Sequence, residues 1–482
     1  MPNTTSTTLV WFRRDLRISD NAALKAAIER GAPIVPVYIF DEAGEGEWAP
    51  GGASKWWLHH ALKDLAETLE ASNFRLVLRQ GKSQAELAKL IDETGADAVY
   101  WNRRYEPAII ERDKRIKDDL SSNDIEARSF NSSLAFEPWE VKNKTGAPYK
   151  VFTPFWKELQ RRDFAPPVEV DLNKGEPCKS WPESLDLDAL QLLPDISWDS
   201  GFYEAWTPTI AAAKQRLGKF AANGGGGYAS DRDRPDLDAT SRLSPYLHFG
   251  QVGPREVFHA FKEHGVDKQK SARVFLSEIA WREFSYHLIY HFPHTPKDPL
   301  RKEFEHFPWE MNEAFLRAWQ KGQTGYPIVD AGMRQLWATG WMHNRVRMVV
   351  ASLLVKHLQL PWQEGARWFW DTLVDADLAN NTQGWQWSAG CGADAAPYFR
   401  VFNPILQGKK FDPEGSYVRE WVPELRKLPD SVIHAPWEAD ASTLRAAGVE
   451  LGDDYPHPII DHQKGRNRAL QAYEKLKALR SD

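Results

Sequence analysis

Short apolar runs alternate with amphipathic segments over the first 130 residues. The runs rich in β-branched and aromatic residues predict strands at TTLVWF (7–12), PIVPVYIF (33–40), FRLVLRQ (74–80) and DAVYW (97–101). Helices are predicted between them, for example over 21–30, closed by Gly31, and over 83–94, closed by Gly95. Because strands that alternate with helices form parallel sheets, we predict a Rossmann-like, doubly wound α/β domain.

The pattern changes further along the chain. Residues 136–205 are rich in Pro, Lys, Asp and Trp with little periodicity, which is typical of a long connector that wraps over the surface. From about residue 206 onward, helical patterns dominate. We therefore predict an α/β domain at 1–135, an interdomain connector at 136–205 and an all-helical domain at 206–482.

The composition is that of a well-buried globular chain. Of the 482 residues, 42% are hydrophobic and 27% are charged, which fits two or three domains. Cys178 and Cys391 form no CxxC pair, so we predict neither a disulfide framework nor a metal site. Because the N-terminus lacks signal-peptide features and no run of about eighteen apolar residues occurs, we expect a cytoplasmic protein with no membrane partner.

The formal net charge is −6, so the chain as a whole is not basic in the way that a typical nucleic-acid-binding domain is. Several arginines nevertheless lie inside or beside aromatic motifs: Arg232, Arg234, Arg242, Arg282, Arg345, Arg347 and Arg400. They predict a basic rim around an aromatic pocket. The alternative is a solvated or internally paired set of arginines.

The segment 375–404 combines two carboxylates, an Asn pair and a Trp-x-Trp motif. Its helix-breaking residues are Gly384, Gly390, Gly392 and Pro397. They predict that Trp385 and Trp387 lie on irregular backbone, where polar groups and aromatic faces can converge in a site. The alternative is that both indoles are large core residues.

Four glycines at 224–227 precede Tyr228 and the string TSRLS at 240–244. Glycines let backbone N–H groups approach a phosphate, and hydroxyls with a guanidinium suit a diphosphate. A flexible loop explains the glycines about as well, and a helix capping box is the alternative for Thr240 and Ser241. No GxGxxG follows the first strand, so we expect no dinucleotide at the usual Rossmann position.

Four motifs in this order resemble those of the DNA photolyase and cryptochrome flavoproteins. They are TSRLSPYLHFG (240–250), WREFSYHL (281–288), TGYPIVDAGMRQLWATGWMHNRVRM (324–348) and the segment 375–404. The similarity runs from WFRRDLRISDN (11–21) to YPHPII (455–460). It implies an antenna-binding N-terminal domain and a helical domain that binds flavin adenine dinucleotide (FAD).

The resemblance implies a set of FAD-binding residues. They are Tyr228, Thr240, Ser241, Arg242, Leu243, Ser244, Phe275, Arg282, Asn344, Arg347, Asp375, Asp377 and Asn381. Asn381 would face the flavin N5, and Arg347 would pair with Asp375, because a reduced anionic flavin needs a fixed cation and donors nearby. The alternative is a buried Arg–Asp pair that serves structure alone.

The resemblance also implies a pocket for a pyrimidine dimer flipped out of DNA. The implied substrate and DNA contacts are Arg232, Glu278, Trp281, Asn344, Arg345, Met348, Trp387 and Gln407. The implied catalytic residues are Glu278, Asn381 and Met348. The indoles of Trp281 and Trp387 would stack on the dimer, and Glu278 would form a hydrogen bond with a base edge. From spacing alone, an i, i+4 ion pair between Glu278 and Arg282 is the commoner interpretation.

Met348 stands where enzymes for (6-4) photoproducts carry a catalytic histidine, which indicates the cyclobutane-dimer type because methionine offers no proton. Electrons would reach oxidised flavin along a chain of tryptophans, with Trp385 nearest the flavin, then Trp362, and then Trp309 toward solvent. A branched path remains open, because further tryptophans lie nearby in the sequence: Trp319, Trp337, Trp368 and Trp370.

The string YEPAII at 105–110 lacks the Asn-Glu pair of folate-binding bacterial members. This departure indicates the class III photolyases, relatives of plant cryptochromes, with methenyltetrahydrofolate favoured as an antenna bound through other contacts. The resemblance thus implies a monomeric deoxyribodipyrimidine photo-lyase that uses reduced FAD and light to repair cyclobutane dimers in damaged DNA. The alternative is a cryptochrome-like blue-light photoreceptor that signals to a partner.

Overall fold

The N-terminal part of the chain is built on a parallel β-sheet. The computed structural model describes residues 6–395, 397–398 and 400–478. The strands are β1 (Thr8–Phe12), β2 (Pro33–Phe40), β3 (Val77–Gln80), β4 (Ala98–Asn102), β5 (Glu126–Phe130) and the short β6 (Glu176–Pro177). Their order is β3-β2-β1-β4-β5, and β6 pairs with β2. The predicted doubly wound, Rossmann-like sheet is therefore confirmed.

Both faces of the sheet are covered. The helices of this part are α1 (Ala22–Arg30), α2 (Gly52–Glu70), α3 (Ser83–Thr94) and α4 (Pro107–Ser122). Side chains of β1 alternate, so that Leu9 and Trp11 join a core with α3 and α4, while Val10 and Phe12 join a core with α1 and α2. The second core continues into the helical part of the chain, which joins the two parts through shared apolar packing.

Local sequence signals place the ends of α1 and α3 correctly. The Asn21 side chain accepts a hydrogen bond from the Leu24 N–H at the start of α1, and Gly31 ends that helix with φ 70°. Gly95 ends α3 in the same way, with φ 61°. Strand β5 was not predicted, because its sequence, EARSF, is largely polar and its residues are only partly buried.

The connector is more than a surface wrap. It contains α5 (Phe152–Leu159) and α6 (Ser200–Ala205). Phe152, Phe155 and Leu159 are buried against the helical part, so the predicted position over the surface is wrong for this segment. The apolar face of α5 spans only two turns, too few for a helical period to be evident in the sequence.

Helices are the main regular elements of the remaining chain, as predicted. They are α7 (Ile210–Ala222), α8 (Tyr228–Asp231), α9 (Ser244–His248), α10 (Pro254–Glu263), α11 (Lys270–His291), α12 (Glu313–Gln320), α13 (Pro327–Thr339), α14 (Asn344–Ser352), α15 (Trp362–Thr372), α16 (Leu378–Ala389), α17 (Pro404–Phe411), α18 (Ser416–Trp421), α19 (Ala441–Ala447) and α20 (His462–Ala478). No helix within the described ranges is long and apolar enough to cross a bilayer.

The irregular backbone predicted around Trp385 and Trp387 is wrong, because both residues lie on the regular helix α16. Asp377 caps the start of this helix, and Gly390 ends it with φ 81°. Gly384 is accommodated within the helix, where tertiary packing and two good caps outweigh its low propensity. Of the rest of the segment, residues 396 and 399 lie outside the described residues.

The glycine run ends α7 and has few N–H groups left for a phosphate. Gly224, Gly225 and Gly226 all have positive φ, between 53° and 80°. Their backbone N–H groups donate to carbonyls of the preceding helix end, those of Ala221, Phe220 and Asn223. The run is therefore a helix-capping turn that needs left-handed residues.

Candidate active site

Motifs that are far apart in the sequence lie on helices that touch one another. α16 packs against α11, α14 and α15, and α8 packs against α11. The predicted site residues on these helices are Tyr228 on α8, Phe275, Glu278, Trp281 and Arg282 on α11, Asn344, Arg345, Arg347 and Met348 on α14, and Asn381, Trp385 and Trp387 on α16. The fold thus assembles one candidate site from separate motifs.

Arg347 and Asp375 form the predicted ion pair. Arg347 Nη2 lies 2.9 Å from Oδ2 and 3.1 Å from Oδ1 of Asp375, and its Nε donates to the Met342 carbonyl. The Asp375 side chain is 4% exposed, whereas that of Arg347 is 25% exposed. The pairing is confirmed, and the guanidinium keeps a face available to a bound anion, which fits a reduced flavin. Its role toward the flavin stays a prediction.

Asn381 presents a hydrogen-bond acceptor on α16. Its Nδ2 donates to the Ala366 carbonyl at 2.9 Å, which fixes the plane of the amide. Among the described residues, Oδ1 of Asn381 has no hydrogen-bond partner, and the side chain is only half-buried. A bound group that offers an N–H can therefore be satisfied here, which suits the predicted position at the flavin N5.

Asp377 is held by the protein on both oxygens. Oδ1 accepts the Asn380 N–H at 2.9 Å, and Oδ2 accepts the Tyr286 hydroxyl and lies 3.6 Å from His248 Nδ1. Burial alone would raise the pKa of Asp377, but His248, Arg282 and Tyr286 outweigh burial and lower it. The carboxylate therefore stays ionised and anchors the start of α16, while a direct contact with FAD stays a prediction.

The TSRLS string forms a short polar loop before α9. Arg242 has φ 49°, a left-handed conformation, and its guanidinium lies over the Trp341 ring at 5.1 Å. The hydroxyls of Thr240 and Ser244 have no partner within the described part of the chain, so they can contact a diphosphate. The capping alternative is not observed for Thr240 and Ser241, because Leu243 is the N-cap of α9 and no side chain caps it.

Tyr228 and Phe275 pack edge to face, with ring centroids 5.5 Å apart. Arg282 points toward the α/β part, where its Nη1 donates to the Ser133 carbonyl at 2.9 Å. The neighbouring Glu283 accepts the Ala135 N–H at 2.9 Å, and burial raises the pKa of Glu283 to about 7. These contacts join α11 to the end of the α/β part, and FAD contacts of Phe275 and Arg282 stay predictions.

Glu278 does not pair with Arg282, so the i, i+4 interpretation is wrong. Its Oε1 lies 2.5 Å from Nη1 of Arg232, which comes from the end of α8. Tertiary packing of α8 on α11 brings a better-placed guanidinium, while Arg282 is occupied by the Ser133 carbonyl. Two residues predicted to contact DNA and substrate thus contact each other in the free protein.

Six of the seven arginines predicted to form a basic rim are paired, which favours the alternative of internal pairing for those six, whereas Arg400 is exposed and lies over the Phe402 ring at 5.6 Å. Each of the following has a carboxylate oxygen within 3.5 Å: Arg232, Arg234, Arg242, Arg282, Arg345 and Arg347. Arg345 also lies over the Phe411 ring at 4.5 Å. Because α17 carries both Phe411 and Gln407, the structure brings Gln407 to the same side as Arg345.

The predicted substrate indoles differ in their surroundings. Trp281 is partly buried and stacks on Phe152, with ring centroids 3.8 Å apart and planes at 10°. Trp387 and Met348 are also partly buried, whereas Asn344 is exposed. Phe152 was missed, because its signal was only an aromatic cluster, VFTPFW, in a connector without periodicity.

The tryptophans predicted for electron transfer range from buried to half-buried. Trp385 is 2% exposed and Trp362 is 1% exposed, whereas Trp309 is half-buried against Phe307, at 4.3 Å between ring centroids. The Trp385 ring also contacts Trp319, at 6.1 Å. Trp309 is thus the most exposed of the three, which fits its predicted place nearest to solvent, and the Trp319 contact supports a branch.

The α/β part contains a second candidate site, which the sequence did not reveal. A cavity opens where β1 and β2 end. Among its lining residues are Trp11, Arg14, Tyr38, Arg104 and His248. It lies at the carboxyl edge of the sheet near the switch in strand order between β1 and β4, where open α/β sheets bind ligands.

Comparisons with known proteins agree over nearly the whole chain. Family models for "DNA photolyase" and "FAD binding domain of DNA photolyase" match residues 8–171 and 275–475. A deoxyribodipyrimidine photo-lyase of Agrobacterium fabrum is 49% identical, covering 98% of each chain. Cryptochrome-1 of Arabidopsis thaliana is 38% identical, covering 97% of this chain and 70% of the relative.

A solved structure extends the agreement to the fold. The crystal structure of a bacterial class III photolyase from Agrobacterium tumefaciens superposes with a TM-score of 0.95 at 48% identity, covering 99% of each chain. Sequence, fold and the arrangement of the helices around Asp375 and Asn381 all lead to one conclusion: this chain belongs to the DNA photolyase and cryptochrome family.

Proposed function

We propose that this protein is a deoxyribodipyrimidine photo-lyase that uses light to repair cyclobutane pyrimidine dimers in DNA. One observation carries the proposal: α11 and α16 pack together and hold both the substrate residues Glu278, Trp281 and Trp387 and the flavin residue Asn381. The high identity to a photo-lyase over the full chain supports the same activity.

FAD fits the helical part of the chain, because the Asn381 amide oxygen and the Thr240 and Ser244 hydroxyls have no partner among the described residues, and the Arg347 guanidinium is partly exposed. Reduced FAD supplies, when bound, an excited-state electron for the dimer and takes it back after the ring splits, without net redox change. Asn381 would orient the flavin N5 edge, and the Arg347 guanidinium, held in place by Asp375, would present a fixed cation to the flavin.

The substrate residues would act by stacking and hydrogen bonding. Trp281 and Trp387 offer aromatic faces to a flipped-out dimer, and Glu278 accepts a hydrogen bond from a base edge. Arg232, which pairs with Glu278 in the free protein, would exchange this carboxylate for a DNA phosphate. Together with Arg345 and Gln407 it would hold the backbone without regard to sequence, through contacts that weaken with salt.

Replacing Glu278 with alanine tests this arrangement. Loss of a charge-assisted hydrogen bond of about 1.5–3 kcal/mol predicts a repair rate at least tenfold lower under constant light. Affinity for undamaged DNA is expected to stay the same or to rise, because Arg232 is then released from its carboxylate. The measurements are dimer loss from an oligonucleotide and binding of its undamaged counterpart, both with FAD content verified.

The control for this experiment is Glu263→Ala, which removes an exposed glutamate on α10 that pairs with His259. It is expected to leave both repair and DNA binding unchanged. Unchanged repair by Glu278→Ala would show that Glu278 does not contact the dimer.

We propose that a second, light-harvesting chromophore binds in the sheet-edge cavity, with methenyltetrahydrofolate favoured. The aromatic and guanidinium groups that line the cavity suit a pterin ring and the glutamate carboxylates of a folate. Pigment released from the purified protein is expected to show a near-ultraviolet pterin band beside the flavin bands. A flavin spectrum alone would contradict a pterin antenna.

The organisation of the chain is part of the same proposal. Residues 1–135 would form the antenna-binding unit, 136–205 the connector and 206–482 the FAD-binding unit. We expect the protein to act as a monomer in the cytoplasm.

A further inference from the structure

We infer that Phe152 is a positioning residue for Trp281, the indole proposed to stack on the flipped-out base; this inference rests on the proposed function. The two rings lie face to face, with centroids 3.8 Å apart and planes at 10°. An indole has two faces, and Phe152 covers one of them. A nucleobase can therefore stack only on the other face, so Phe152 fixes the side from which the substrate enters.

Phe152 is itself firmly held. It is the first residue of α5 and is 8% exposed, and its ring meets Phe284 edge to face at 6.0 Å. Its backbone N–H donates to Oδ2 of Asp394 at 3.2 Å. The N-cap residue, Val151, has no side-chain oxygen, so Asp394 supplies the capping acceptor from elsewhere in the chain.

Asp394 connects Phe152 to the helix that carries the second substrate indole, Trp387. It lies in the turn that follows α16, the helix that carries Trp387, and has φ 48°. Aspartate adopts this left-handed conformation more readily than most other residues, so the turn can hold the Asp394 carboxylate at the start of α5. The ring of Phe152 thus contacts Trp281 on α11. Its backbone N–H contacts the turn that follows α16, the helix of Trp387.

The expected consequence is preorganisation. Trp281 is only partly buried, and without a ring behind it the indole would sample other rotamers and lose entropy on stacking. The effect should equal that of one aromatic pair, about threefold to tenfold in affinity for damaged DNA. Affinity for undamaged DNA, which depends on phosphate contacts, should not change.

A matched control lies one turn further along α5. Phe155 is 1% exposed and contacts Phe284 and His287, at 5.1 and 5.2 Å between ring centroids, but not the Trp281 ring. Phe155→Leu should therefore lower the melting temperature without changing the ratio of affinities for damaged and undamaged DNA. Phe152→Tyr should keep the stacked ring and behave as the wild type.

The test measures binding of the FAD-loaded protein, in the dark, to oligonucleotides with and without a thymine dimer. Phe152→Ala is expected to lower affinity for the dimer about threefold to tenfold, to leave affinity for undamaged DNA within about twofold, and to retain FAD and its photoreduction. An unchanged ratio in Phe152→Ala, with a wild type that does discriminate, would overturn the inference. A wild type that does not discriminate would instead contradict the proposed function.

A second measurement tests the contact between Phe152 and Trp281 in the absence of DNA. In protein labelled with 5-fluorotryptophan, the Trp281 resonance is assigned by its loss in Trp281→Phe. Phe152→Ala is expected to shift and broaden this resonance, and Phe155→Leu and Phe152→Tyr are expected to leave it nearly unchanged. A resonance unaffected by Phe152→Ala would overturn the inference whatever the DNA result.

Discussion

Asp375→Ala is expected to yield a protein that retains no FAD and is destabilised by about 3 kcal/mol. The Asp375 side chain is 4% exposed and contacts Arg347 through both oxygens, so its removal leaves a partly buried guanidinium without its partner. The measurements are the FAD content of the purified protein and the free energy of unfolding in urea. As a control, Asp430→Ala removes a carboxylate that is 61% exposed from its pair with Arg419 and should cost at most about 1 kcal/mol.

A double variant separates a structural role of this pair from a flavin-binding role. Asp375→Ala combined with Arg347→Met removes both charges and should recover part of the lost stability. If the fixed cation serves the flavin, FAD binding will not recover with it. Recovery of both would show that the pair is structural alone, and full FAD retention by Asp375→Ala would contradict the proposed flavin site.

Gly365→Ala is expected to slow photoreduction of the bound flavin at least tenfold and to destabilise the fold by about 1–3 kcal/mol. A Cβ at this position of α15 would lie 2.0 Å from the Trp385 ring. The indole cannot yield easily, because it is 2% exposed and contacts Phe369 and Trp319. Flavin absorbance under illumination with an external reductant and thermal unfolding check the two effects.

Gly384→Ala is the matched control for this overpacking. Gly384 precedes Trp385 on α16, and a Cβ there would meet nothing within 4 Å. This substitution is expected to stabilise the protein by roughly 0.5–1 kcal/mol and to leave photoreduction unchanged. Photoreduction at the wild-type rate in Gly365→Ala would show that Trp385 is not the tryptophan that supplies the flavin, or that another route replaces it.

Local sequence signals predicted most of the fold. Strand runs, helix-ending glycines such as Gly31 and Gly95, and the switch from alternation to helical periods depend on neighbouring residues alone. The failures arose where tertiary structure outweighed a local signal. Gly384 lies within a capped and packed helix, and the polar sequence of β5 pairs at the edge of the sheet.

The candidate site was predictable mainly through motifs and less through spacing. The resemblance supplied Arg347 with Asp375, and the structure confirms that pairing. The partners of Glu278 and Trp281 come from α8 and α5, and nothing in the spacing along α11 indicates them. Contacts between distant segments depend on how helices pack, which residue order alone does not specify.

Light-dependent repair is the most direct test of the account. Protein with reduced FAD is mixed with an excess of an oligonucleotide that contains a thymine cyclobutane dimer, and dimers are counted after illumination and in the dark. We predict that dimers disappear only in the light, many per protein molecule, and that the flavin is still reduced at the end. A protein that binds FAD and photoreduces it but leaves the dimers intact would contradict the repair function and favour a photoreceptor.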